Sequence, residues 1–237
     1  PRTEPSRLGA DWLNFWRNIS SYARQLGLVI NTPCDQIVGE TINARLQGVH
    51  PYEFQAEAIV RALSCLDSLR DCLRRGRLQN LAFRPRPEVI GVLAPTGAGK
   101  TEIFETIALQ LALDARQGGI VNSVLVYVVY SMRAFMRDHF QRFVRDIAHI
   151  TLRTRRTITI GIWDGDTPNR FRNRDDVLQE YERRMGSRNC PICSSQVRAQ
   201  LLPSPPYYSI QCRMGHDLSF IRLSRESIRD SPPDILL

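Results

Sequence analysis

Apolar positions recur along this chain in two rhythms. Over residues 53–75, EFQAEAIVRALSCLDSLRDCLRR, they return every three to four residues, the spacing of one helix face. The same rhythm predicts helices from Thr101 to about Arg116 and from about Met132 to Ala148. By contrast EVIGVLA (88–94), SVLVYVVY (123–130) and TITIGIW (157–163) are short continuous apolar runs, and DILL (234–237) opens another. Such runs suit strands buried on both faces. Strands alternating with helices predict βαβ units, hence an α/β fold built on a parallel sheet with helices on both faces. Ahead of this pattern, Trp12, Phe15 and Trp16 stand at helical spacing, which predicts packing positions in a helical N-terminal extension.

The alternation is interrupted between the third predicted strand and DILL. Residues 165–188 are polar and Arg-rich, and 190–223 carry a cysteine cluster with LPSPP inside it. The expected organisation is a helical extension (1–50), the first part of an α/β domain (51–170), an Arg-rich and metal-binding insertion (171–223), and an incomplete return to the sheet (224–237). With 237 residues, 43% of them hydrophobic, the chain can bury a substantial core. No apolar run approaches the roughly 18 residues of a membrane span, and no signal-like leader opens the chain. A cytosolic protein with no membrane partner is expected.

The formal charge of +8 makes an acidic polymer a reasonable partner, although solubility alone accounts for it equally well. The kind of cation is more informative. Of the 32 basic residues only Lys100 is a lysine, and it stands in LAPTGAGKTEIF, residues 93–104. There Pro95, Thr96, Gly97, Ala98, Gly99, Lys100 and Thr101 follow an apolar strand and precede a helix, the context of a phosphate-binding Walker A loop. Ala94 replaces the commoner first glycine. Glycines let backbone N–H groups approach phosphate oxygens, and the helix N-terminus adds its dipole. Lys100 would reach the β- and γ-phosphates of ATP, and the Thr101 hydroxyl would coordinate Mg²⁺.

Six cysteines lie at 34, 65, 72, 190, 193 and 212. Cys65 and Cys72 sit on an apolar helical pattern and are expected as small core residues. Cys190 and Cys193 form a C-x-x-C knuckle, Cys212 follows after 18 residues, and His216 stands four positions further on. Three thiolates and an imidazole make a closed, structural Zn²⁺ site whose metal contributes folding energy to a small insertion. A redox C-x-x-C competes with this reading, as does a fourth ligand other than His216. The preceding run RFRNRDDVLQEYERRMGSR (170–188) balances Arg170, Arg172, Arg174, Arg183, Arg184 and Arg188 against four acids. It reads first as an internally paired helix face and second as a nucleic-acid-facing edge.

APTGAGKTE resembles motif I of superfamily 2 DEAD/DEAH-type helicases, and further pieces follow in that family's order. PYEFQAEAI resembles the Q-motif region, which implies that Gln55 reads adenine. The segment after the second strand, Ser131, Met132, Arg133, Ala134 and Phe135, resembles motif Ia, with Ser-Met in place of Pro-Thr. That likeness implies that Met132 and Arg133 touch the backbone of a bound strand; a solvated arginine at a helix start is the competing reading. WDGDTPNR resembles the Gly-Asp-Thr segment, and SPPDILL the strand before motif Ib. The likeness covers about 50–170 and the last six residues.

The resemblance implies a RecA-like P-loop domain of an ATP-dependent helicase or translocase, acting on nucleic acid with DNA favoured over RNA. Its general layout is similar to that of the large helicases of bacterial anti-phage defence systems such as DISARM or Druantia, which implies other defence subunits as partners. The family's Asp-Glu-x-x box and second RecA-like domain are not found, so the missing motor half is expected in the same or a partner chain. Asp164 and Asp166 end a strand but come too early for that box. Two alternatives remain open: a duplex-DNA translocase of a restriction-type system, and a non-catalytic binding or assembly module with a vestigial ATP site.

Overall fold

The computed structural model describes residues 6–77, 90–92 and 99–237. The chain divides into two compact units, Pro1–Ile120 and Val121–Leu237. The division falls inside the span 51–170 expected as one domain.

The first unit is helical among the described residues: α1 (Trp12–Arg17), α2 (Ile19–Gln25), α3 (Gln36–Arg45), α4 (Glu53–Cys65), α5 (Asp67–Arg74) and α6 (Lys100–Gln117). Asp11 starts α1 by accepting the Asn14 N–H at 2.8 Å, satisfying one orphan donor of the first turn. The spacing of Trp12, Phe15 and Trp16 puts all three on the buried side. The Trp16 indole donates to the Asp35 carbonyl at 2.8 Å. Helix α3 approaches so closely that a Cβ on Gly39 would lie 2.6 Å from the Trp16 Cβ. Helix α6 packs against α3, α4 and α5 and is buried nearly all round.

That burial encloses polar groups, which must be paired. Asp114 of α6 accepts from Arg70 Nε at 2.7 Å, Arg74 at 3.0 Å and Gln110 at 2.9 Å, while Arg70 also donates to the carbonyls of Thr32 and Pro33. Burial pushes the Asp114 carboxyl up, against the lowering pull of the two guanidiniums.

The single helix expected over 53–75 is two helices that meet at Leu66. The cause is tertiary: Asp67, at the start of α5, accepts the N–H groups of Asn31 and Thr32 at 3.0 and 2.8 Å. Cys65, one turn after exposed Arg61, is itself exposed and Cys72 is half-buried, so neither is the core residue its spacing predicted.

The second unit contains β1 (Val126–Tyr127), α7 (Arg133–Thr154), β2 (Ile160–Gly161), α8 (Arg174–Met185), β3 (Val197–Leu201), β4 (Tyr208–Cys212), β5 (Ile221–Arg222), α9 (Arg225–Asp230) and β6 (Ile235–Leu236). Among the described residues four strands form a parallel sheet in the order β1-β6-β2-β5, flanked by helices, and β3 pairs with β4 as an antiparallel hairpin. The predicted strands at 123–130, 157–163 and 234–237 thus share one sheet, with the last inserted between the other two. A reciprocal lock sets that register. Asp234 accepts from the Thr159 N–H and hydroxyl at 2.6 and 2.9 Å, and its own N–H donates to the Thr159 hydroxyl at 3.0 Å.

Helix α7 runs past the predicted end at Ala148 to Thr154, burying Phe140, Phe143, Val144, Ile147 and Ile150. Strand β5 was not expected. It lies within 171–223 but joins the sheet beside β2, through Ile160 N–H to the Phe220 carbonyl at 2.9 Å. The predicted strand EVIGVLA falls largely outside the described residues. No helix among the described residues is long and apolar enough to cross a membrane.

Candidate functional site

Of the predicted phosphate loop, Pro95, Thr96, Gly97 and Ala98 lie outside the described residues. Gly99 has φ 70° and ψ 35°, the left-handed region, and immediately precedes Lys100 and Thr101, the first residues of the 18-residue α6. A Cβ at Gly99 would lie 2.5 Å from Gln55 Nε2 and 2.9 Å from a Glu102 carboxylate oxygen, side-chain ends that would have to shift, and the left-handed conformation itself calls for glycine. A left-handed glycine opening a long helix turns backbone N–H groups toward the helix mouth, an arrangement that fits a phosphate group.

Gln55 is buried, and both ends of its amide are engaged. Its oxygen accepts the Tyr52 N–H at 2.8 Å, closing the capping box of α4, and its nitrogen donates to the Gly99 carbonyl at 2.6 Å. The amide that the resemblance assigns to adenine therefore ties α4 to the glycine of the loop in this conformation.

In the second unit, the carboxyl ends of the parallel strands gather the other candidate residues, the edge where open α/β sheets bind their ligands. Met132 is the N-cap of α7 and Arg133 its first residue; both side chains are exposed. Arg133 pairs with Asp166 at 2.6 Å, and Arg183 of α8 reaches the same carboxylate at 3.6 Å. The motif Ia-like loop and the Gly-Asp-Thr segment, apart in sequence, are thereby joined. Arg133, Arg137, Arg183, Arg184, Asp164 and Asp166 line a cavity of about 280 Å³.

Asp164 is held differently. Arg184 clamps it in a two-bonded pair at 2.6 and 2.8 Å, and the same guanidinium donates to Glu180 at 2.7 Å and Thr167 at 3.2 Å. The Arg184 bonds, joined by one from Thr167, hold the Asp164 carboxyl well below the usual carboxylate range. Its oxygens are committed to fixing α8 on the loop after β2. Three of the six arginines of the Arg-rich run are paired in this way: Arg183 and Arg184 with Glu180, and Arg188 with Glu182. Arg225 gave no signal in the sequence, yet its guanidinium lies 5.6 Å from the Trp163 ring centre and donates to the Asp164 carbonyl at 3.1 Å.

The four metal-ligand candidates converge. Cys190 and Cys193 sit in the turn after α8, Cys212 ends β4, and His216 follows in the next loop; their ligand atoms all lie within 4.8 Å of one another. Cys193 and Cys212 sulfurs are 3.6 Å apart, and His216 Nδ1 is 3.3 Å from Cys212 and 3.7 Å from Cys190. Zn–S bonds of about 2.3 Å and Zn–N bonds of about 2.0 Å at tetrahedral angles demand edges of about 3.5–3.8 Å, so the quartet fits the ion. Burial opposes ionisation of the Cys212 thiol, but hydrogen bonds from Ser195 and from the backbone at His216 and Met214 bring it down to about 6. That favours the thiolate a metal needs.

One unit thus carries a glycine-led helix that begins Lys-Thr, and the other a parallel sheet flanked by helices with a hairpin that brings three cysteines and a histidine together. The chain belongs to the DEAD/DEAH box helicase family, whose model matches residues 52–181, more than half of its length. No curated protein and no solved structure matches the chain. The matched span takes in Gln55, the phosphate loop, Arg133 and the Gly-Asp-Thr segment, and leaves the cysteine-histidine quartet outside. Membership supports a helicase-type protein that uses ATP and Mg²⁺ and acts on nucleic acid.

Proposed function

We propose that this chain is the N-terminal RecA-like motor domain of an ATP-dependent helicase or translocase, with an inserted structural zinc module. The observation that carries the proposal is left-handed Gly99 at the mouth of α6, followed at once by the chain's one lysine and a threonine. Backbone N–H groups from Thr96 to Gly99 and the Lys100 ammonium hold the triphosphate, and Gln55, released from its present contacts, pairs with the base. The Thr101 hydroxyl holds Mg²⁺, which when bound neutralises charge developing on the phosphates. Met132 and Arg133, at the N-terminus of α7, take the backbone of one strand, with Asp166 orienting the guanidinium. Cys190, Cys193, Cys212 and His216 hold zinc. The acidic box and the second motor half are supplied by the same or a partner chain. DNA as the substrate, a cytoplasmic site and service in an anti-phage defence system belong to the same reading. So does the division of the chain into an extension to residue 50, a motor core to 170 and an insertion to 223.

The test is Lys100→Ala in the natural full-length protein, with ATP binding, nucleic-acid-stimulated ATPase and strand displacement measured together. Loss of ATP binding and of both activities supports the motor. Full function in the variant identifies a vestigial site on a binding or assembly module. ATPase with triplex displacement but no strand separation identifies a duplex translocase.

A further inference from the structure

The zinc-binding hairpin carries a groove that the motor reading does not use. Side chains alternate along strands, and the register sets Val197, Ala199 and Leu201 opposite Cys212, Ile210 and Tyr208 on one face. The opposite face pairs Arg198 with Gln211 and Gln200 with Ser209. With Arg174, at the start of α8, and Arg213, just past β4, these residues line a concavity of about 550 Å³. The three arginines are exposed, and among the described residues no acidic side chain lines the groove. Arg213 spends one donor on the neutral Gln196 amide at 3.0 Å, which leaves its charge uncompensated. This contrasts with Arg183 and Arg184 on α8 and Arg188 just past it, each paired with a carboxylate.

We propose that this face is a second nucleic-acid site, which grips the sugar-phosphate backbone of a single strand outside the motor cleft. The proposal rests on the reading that the protein acts on nucleic acid. Guanidinium forks match phosphate oxygens, while glutamine and serine side chains suit phosphate and sugar oxygens. Among the described residues no aromatic ring lines the groove, so bases have nothing to stack on and the grip is independent of sequence. Zinc coordination by Cys212 fixes the end of β4 between Gln211 and Arg213, holding the charges on a rigid hairpin.

The test is the affinity of the full-length protein for fluorescein-labelled oligothymidylate across a salt series, without nucleotide, in wild type, R198Q/R213Q and R198K/R213K. Zinc content checks each variant's fold. Each phosphate contact contributes about 0.7 to the slope of log affinity against log salt on a single strand, so the glutamine variant should lose about 1.4 and the lysine variant keep most of it. A wild-type slope retained in R198Q/R213Q overturns the groove while leaving the motor reading intact. No binding by the wild type overturns both. Displacement of the oligonucleotide by polyglutamate at equal charge overturns the assignment to nucleic acid.

Discussion

Arg184→Met tests whether the loop after β2 is held by a buried charge cluster. The arginine has 4% side-chain exposure, and its partners Asp164 and Glu180 have 8% and 9%. Methionine fills similar volume but strands the Asp164 carboxylate, while Glu180 keeps its pair with Arg183, and breaking a buried pair in this way costs about 3–5 kcal/mol. For a chain of this length that corresponds to a melting shift of roughly 6–20 °C. The pH dependence has a definite sign. In the wild type the Asp164 carboxyl is depressed, so its contribution is complete above the unfolded value of about 3.9 and is lost only as pH falls below it. In the variant the buried carboxyl is no longer held down and rises above its ordinary value, so the penalty shrinks between pH 7.5 and pH 5. Urea denaturation read by hydrogen exchange on β2 and α8 peptides isolates the second unit from the first. Asp164→Asn added to Arg184→Met should recover part of the loss. A penalty below about 1 kcal/mol, or one equal at pH 7.5 and pH 5, would refute the argument, because an exposed pair behaves that way.

Two further outcomes are expected. The purified protein should release one zinc per chain to a colorimetric chelator after thiol modification, and Cys212→Ser should lose the metal and the exchange protection of β3 and β4 while leaving α6 unchanged; retained protection without metal would mean the hairpin stands on its own core. Gly99→Ala should abolish ATP binding by equilibrium dialysis and destabilise the first unit by about 1–2 kcal/mol for the left-handed conformation. Undiminished ATP affinity in that variant would break the link between Gly99 and phosphate.

What was legible in the sequence is what short-range chemistry encodes. The Lys-Thr pair after two glycines, the knuckle with Cys212 and His216 behind it, and the buried spacing of Trp12, Phe15 and Trp16 each depend on residues a few positions apart, or on residue types able to hold a metal ion. Helices α6 and α7 were visible for the same reason, since a 3.6-residue period is a local property. Tertiary contacts overruled that period at Leu66, where Asp67 reaches back to residues 31 and 32. Strand β5, with two residues and no period of its own, exists only because β2 offers it a free edge. The insertion of β6 between β1 and β2, the meeting of Arg133 with Asp166, and the groove on which Arg174, Arg198 and Arg213 gather were likewise invisible. Strand pairing and charge pairing join residues tens of positions apart, and no short window of sequence contains both partners.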